Sequence, residues 1–106
     1  MNKFNVVSFS GGRTSAYMVH RIQTMVSQGL IDNVKYVFMD TGAEHENTYL
    51  FVRQVVKHFN IDLVCLRSVM TTEVGVGATW RQISIDDICG DYGPWKDMMK
   101  CYSTPF

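Results

Sequence analysis

Val6-Val7-Ser8-Phe9-Ser10-Gly11-Gly12-Arg13-Thr14-Ser15 reads as a short apolar strand that turns through two glycines into a helix. Two residues without Cβ let main-chain N–H groups come close to negatively charged oxygens. The first turn of the helix adds unpaired amides and the positive end of its dipole. Ser10 and Ser15 supply hydroxyl groups and Arg13 a positive charge. The stretch is not G-x-x-x-x-G-K-[ST], so the loop whose lysine reaches β- and γ-phosphates is absent. The expectation is an anion pocket of a different kind, formed by residues 10–15.

Working outward, the chain alternates strand and helix patterns. Asn5 to Ser10 is expected to be the first strand. Arg13 to Gln28 is expected to be a helix with Met18, Ile22, Met25 and Val26 at near-3.6 spacing, closed by Gly29. Val34 to Met39 reads as a second strand, apolar enough to be buried on both faces. A second helix is expected over Glu46 to Phe59, with Tyr49, Val52, Val56 and Phe59 on one side and Asn47 as its N-cap. Ile61 to Leu66 supplies a third strand. The β-α-β-α-β order with crossover-length connections implies a parallel sheet with helices packed on it. Ser68 to Thr79, with Gly75, Gly77 and several threonines, reads as a long loop, and Trp80 to Ile85 as a short extended piece. Pro94 suits the first position of a last helix carrying Trp95, Met98, Met99 and Tyr102.

Composition narrows the functional classes. The 106 residues are enough for a single domain, spanning 1–106, and 46% hydrophobic against 19% charged residues describes a globular chain. Ten basic and ten acidic side chains cancel, which gives no electrostatic footprint for nucleic acid or an anionic membrane. No apolar run approaches a bilayer span and no signal-peptide pattern opens the chain, which points to the cytoplasm. Cysteines at 65, 89 and 101 are odd in number and form no C-x-x-C pair, so they read as free thiols.

Ligands of open α/β sheets lie outside the carboxyl ends of the strands. The second strand ends in Asp40-Thr41-Gly42-Ala43-Glu44-His45-Glu46, beside the glycine turn. Asp40 has two readings there, as a cap of the following turn or, with Glu44, as a magnesium ligand. His45 lies next to the expected site and reads as a loop histidine, while His20 and His58 read as helix-surface residues. Trp80, Trp95, Met98 and Met99 read as core or interface. Arg13 opposes the helix dipole, which a bound anion would explain.

The pairing of Ser8-Phe9-Ser10-Gly11-Gly12-Arg13-Thr14-Ser15 with Asp40-Thr41-Gly42-Ala43-Glu44-His45-Glu46-Asn47-Thr48-Tyr49 resembles the phosphoadenosine phosphosulfate reductase family. That family lies within the adenine nucleotide α-hydrolase, or PP-loop ATP pyrophosphatase, superfamily. Ser10, Gly11, Gly12 and Ser15 match its S-G-G-x-x-S signature, and Asp40, Thr41, Gly42, Glu46, Thr48 and Tyr49 match its second motif. The resemblance implies a three-layer Rossmann-like (HUP-type) α/β fold, covering residues 4 to 66 closely and 68–106 loosely. It implies an adenine nucleotide, ATP or a phosphosulfate, with phosphates on residues 10–15 and adenosine beside Asp40, Thr41 and Gly42.

Two departures shape the expectation. Thr14 stands where many superfamily members carry Asp, which leaves a magnesium role for that position without a ligand. Family reductases also continue through a C-T-x-x-L-K-like segment to a C-terminal cysteine, so the chain resembles the nucleotide-binding first half of the fold, truncated. In a doubly wound sheet the first strand is interior. An uncovered first strand is expected to dimerise, to be covered by residues 80 to 106, or to pair with further polypeptide. Reduction with a thioredoxin-like donor requires a low-pKa thiol, for which Cys89 and Cys101 are the candidates and buried Cys65 is not. ATP pyrophosphatase chemistry and nucleotide binding without turnover are the alternatives.

Overall fold

The computed structural model describes residues 4–70 and 78–102. Its elements are β1 (Asn5–Ser8), α1 (Arg13–Ser27), β2 (Val34–Asp40), α2 (Glu46–Phe59), β3 (Leu63–Met70), β4 (Ala78–Ile83), a 3-10 turn at Ile85–Asp87, and α3 (Gly93–Tyr102). The architecture is α/β: an open, mostly parallel sheet with flanking helices, in the Rossmann manner. Strand order is β1-β2-β3-β4, with β1, β2 and β3 parallel and β4 antiparallel to β3.

Side-chain alternation decides what each face of the sheet does. Tyr36, Phe38 and Asp40 of β2 point one way with Phe9, Cys65 and Arg67, and all six are buried. Both α1 and α2 cover that face. Val19 of α1 and Tyr49, Val52 and Val55 of α2 enter one core with Phe9, Tyr36, Phe38, Ile61, Cys65 and Ile88. Within it the Phe38 and Tyr49 rings meet edge to face, 6.3 Å between centroids. The Tyr36 hydroxyl donates to Gln23 of α1 at 2.7 Å. On the opposite face Val6, Met39 and Trp80 are exposed. The second strand is therefore buried on one face, not on both, because the two crossovers that flank it lie on the same side.

Several boundaries differ from the sequence expectation. The third strand runs on to Met70, and Ser68 and Thr79, read as loop, form a register pair with Trp80 and Val69 in the antiparallel β3–β4 ladder. The remainder of that loop, residues 71–77, lies outside the described residues. The extended piece at Trp80 is β4, which pairs with β3 and so does not cover β1. The N-cap of α2 is His45, not Asn47: its ring Nδ1 accepts the Asn47 amide at 3.0 Å. The bounds of α2 itself are those expected. The last helix forms, but it begins at Gly93, one residue before Pro94, and the side chains of Met98 and Cys101 lie outside the described atoms.

Gly11 fixes how the first turn meets α2. Its φ of +86° suits glycine, and a Cβ there would come within 2.8 Å of Thr48 Cγ2 and 3.2 Å of Val52 Cγ2. Gly11→Ala therefore forces both the backbone and α2 to give way. The expected loss is on the order of 1–3 kcal/mol in urea unfolding. An unchanged midpoint would contradict this packing.

Candidate functional site

The carboxyl ends of β1 and β2 carry two different constructions, joined by α2. The first is the 10–15 loop. Gly12 is the N-cap of α1 in extended backbone and makes no side-chain cap bond, and the first turn holds no acidic residue. Arg13 occupies that turn instead, exposed and without an ion pair among the described residues. The Ala16 amide closes onto the Gly12 carbonyl at 3.0 Å, and the Ser10 amide donates to Ser15 Oγ at 3.3 Å. Among the described residues, the amides of Gly11, Gly12, Arg13, Thr14 and Ser15 have no intramolecular acceptor.

The Ser10 and Ser15 hydroxyls lie 2.6 Å apart and share a hydrogen bond, which pins the loop to the helix. Among the described residues a Cβ on Gly12 would meet only Ser10 Oγ, at 3.7 Å, so none of them fills the space above it. A cleft of about 290 Å³ opens there, lined by Gly11, Gly12, Arg13, Asn47, Thr48 and Phe51. By contrast, α2 has its His45 cap and Glu46 in its first turn. The positive end of α1 is the uncompensated one.

The second construction is centred on Asp40, which is fully buried. Its Oδ1 accepts the Gly42 amide at 2.8 Å and the Tyr49 hydroxyl at 2.7 Å. Its Oδ2 accepts the Cys89 amide at 3.3 Å and lies 3.7 Å from Arg67 Nη1. Arg67 is also buried, and its Nη2 pairs with Asp91 Oδ1 while Nη1 lies 3.8 Å from Cys89 Sγ. Burial alone would lower the Arg67 pKa, but Asp91, Cys89 and Asp40 raise it overall. The Gly93 amide, together with Arg67, holds the Asp91 carboxyl below its ordinary value against a burial cost. Burial first, and then the hydrogen bond to Asp40, push the Tyr49 hydroxyl well above the usual phenol range.

The structure thus separates the residues that the sequence placed together beside adenosine. Asp40 and Gly42 are interior, and only Thr41 of the three is exposed. Thr41 Oγ1 accepts the Ala43 amide at 3.2 Å. The capping reading of Asp40 matches its bond to the Gly42 amide. Its oxygens already accept three hydrogen bonds and face the Arg67 guanidinium, and among the described residues no group of three or more His, Cys, Asp or Glu side chains is placed to hold a metal. With Asp40 so engaged, the Asp40 and Glu44 pair does not fit a magnesium ion.

Arg67 and Asp91 carried no expectation from the sequence. The available signal was a charged residue on the buried parity of a strand, since Leu63, Cys65 and Arg67 alternate toward the core. Cys65 is buried and its thiol is pushed up to about 11, chiefly by burial. Cys89 is exposed, at the edge of a cleft of about 800 Å³ between α2 and residues 86–92. Arg53 closes the floor of this cleft by donating to the carbonyls of Ile85 at 3.3 Å and Ile88 at 2.6 Å.

Fold and loop together define an α/β domain with a glycine turn, its amides without acceptors among the described residues, at its first strand end. Residues 4–101 match the phosphoadenosine phosphosulfate reductase domain, and the chain belongs to that family. An uncharacterized nin region protein of Escherichia phage lambda is 46% identical over 105 residues, covering 96% of this chain and 36% of the phage protein. An uncharacterized protein of Methanocaldococcus jannaschii is 35% identical over 60 residues, covering 57% of this chain and 13% of its own length. The chain therefore spans about a third or less of these relatives. No solved structure matches. Among the described residues no helix is long and apolar enough to cross a membrane.

Tyr49→Phe removes one donor from buried Asp40 and the acceptor of the Glu44 amide, which lies 3.3 Å from the hydroxyl. The expected cost is about 1–3 kcal/mol in equilibrium unfolding. A variant as stable as the parent would show that the carboxylate does not depend on this bond.

Proposed function

We infer that the chain binds an adenine nucleotide or sulfonucleotide, with its phosphates on the amides of residues 11–15. The observation that carries this reading is the start of α1: amides without acceptors, open space over Gly12 and a cation where helices ordinarily place an acid. Ser10, Ser15 and Arg13 add hydroxyl groups and charge, Thr14 lies in the same first turn, and Thr41 is the exposed group on the neighbouring strand end. Family membership supports a nucleotide of the phosphosulfate class.

The chemistry this supports is sulfonucleotide reduction, with Cys89 as the candidate thiol and Cys101 as the second. A thiolate attacks the sulfur of the sulfuryl group, and the S–O bond to phosphate breaks. The nucleotide leaves with the bonding pair on its phosphate oxygen, and cysteine is left as an S-sulfonate. A thioredoxin-like dithiol then attacks the cysteine sulfur and expels sulfite. Its second thiol resolves the mixed disulfide and regenerates the cysteine. Cys89 is favoured by its exposure at the edge of the cleft between α2 and residues 86–92. Self-association is the further element of this reading. The amides of Asn5 and Phe9 point into the neighbouring chain segment, which directs those of Val6 and Ser8 to an edge without a strand partner among the described residues. Sedimentation at several concentrations tests for a homodimer through this edge.

Calorimetric titration with ATP and adenosine phosphosulfate is expected to show binding that Gly12→Val abolishes while circular dichroism stays unchanged. Unaltered affinity would remove the phosphates from this loop. Sulfite release that depends on reduced thioredoxin supports reduction. Pyrophosphate release from ATP instead selects the adenylating alternative, and binding without either product selects a nucleotide-binding module.

A further inference from the structure

Arg67 lies within β3, level with the carboxyl end of β2 through its register pairing with Asp40, and is 8% exposed. Its guanidinium reaches two carboxylates that belong to separate segments: Asp40, at the end of β2, and Asp91, just before α3. Those segments interlock around it. The Tyr92 amide donates to the Gly42 carbonyl at 2.8 Å, and the Cys89 amide donates to Asp40 Oδ2 at 3.3 Å. A Cβ on Gly42 would come within 2.8 Å of Pro94 Cδ and 3.2 Å of Arg67 Nη2. A Cβ on Gly93 would come within 2.6 Å of Arg67 Nη2. Two glycines are thus packed against one guanidinium, and the fork serves two acceptors in a fixed geometry that a lysine cannot reproduce.

The glycine loop is held in another way. Gly11 rests on Thr48, Val52 and Phe38, none of which touches Arg67 through a hydrogen bond or ion pair among the described residues. We propose that Arg67 is a positioning residue for nucleotide binding: by tying the Asp40–Gly42 turn to residues 89–93, it holds exposed Thr41 at the angle that meets the nucleoside end of the ligand. This rests on the reading that phosphates occupy residues 11–15, and it assigns the two ends of one ligand to two independently supported pieces of the protein. A probe that consists of phosphate alone then does not depend on Arg67, whereas one that carries adenosine does.

The test compares ATP with inorganic pyrophosphate on the intact chain by calorimetry, well below the unfolding transition of each variant. Arg67→Gln is expected to weaken ATP about tenfold or more and to leave pyrophosphate within about twofold of the parent. Arg67→Lys is expected to recover only part of the ATP affinity, because a single ammonium cannot serve both carboxylates. If Arg67→Gln does not fold, Asp91→Asn at the exposed partner replaces it, with a smaller loss confined to ATP. Unchanged ATP affinity, or an equal loss for both probes, overturns the positioning role while leaving the phosphate loop standing. A parent chain that binds pyrophosphate but not ATP does the same. A parent chain that binds neither overturns the nucleotide reading and this role with it.

Discussion

A carboxylate sealed from water must be paired or the fold does not form, and in this chain that carboxylate is Asp40. Its partners come from four places: its own turn, α2, the middle of β3 and the segment before α3. Each donor fixes a segment whose position local propensity does not decide. The turn after β2 closes because the Gly42 amide has an anion to bind, and Tyr49 sets the rotation of α2 about its axis. Arg67 brings in Asp91 and with it the start of α3. Taking one partner away leaves an uncompensated buried charge, so the cluster behaves as a unit.

The helix that Tyr49 orients also forms the wall of the glycine turn, since Thr48 and Val52 press on Gly11. The two strand ends therefore rest on the same turn of α2, each through its own side chains, and they differ in chemistry. One end is finished: its polar atoms have partners within the protein. The other has amides that point outward, an exposed arginine and open space over Gly12. This asymmetry is why the proposed ligand is assigned to the glycine turn. It also explains why Asp40, the most conspicuous acid near the site, is held as a structural anchor.

Much of this was legible in the sequence. The glycine turn between an apolar run and a 3.6-period segment is local, and so are the bounds of α2, where the spacing of Tyr49, Val52 and Phe59 decides the outcome. The β3–β4 ladder was not legible, because a strand rich in polar and small residues such as Ser68 and Thr79 is stabilised by a partner distant in sequence. The cap of α2 was misplaced because an imidazole nitrogen substitutes for the usual short oxygen side chain. The sequence does not mark Arg67, since a charge in a strand ordinarily faces solvent. Only the burial of Asp40 on the same face shows why a guanidinium belongs there.

The central claim is that main-chain amides at the start of α1 cradle anionic oxygen. It is tested most directly by following the amide resonances of a ¹⁵N-labelled chain while ATP is added. The account predicts that the signals of Gly11, Gly12, Arg13, Thr14 and Ser15 move together along one saturating curve, with those of α1 beyond its first turns nearly still. Signals in this loop that stay fixed while others shift, or no response anywhere, would contradict it.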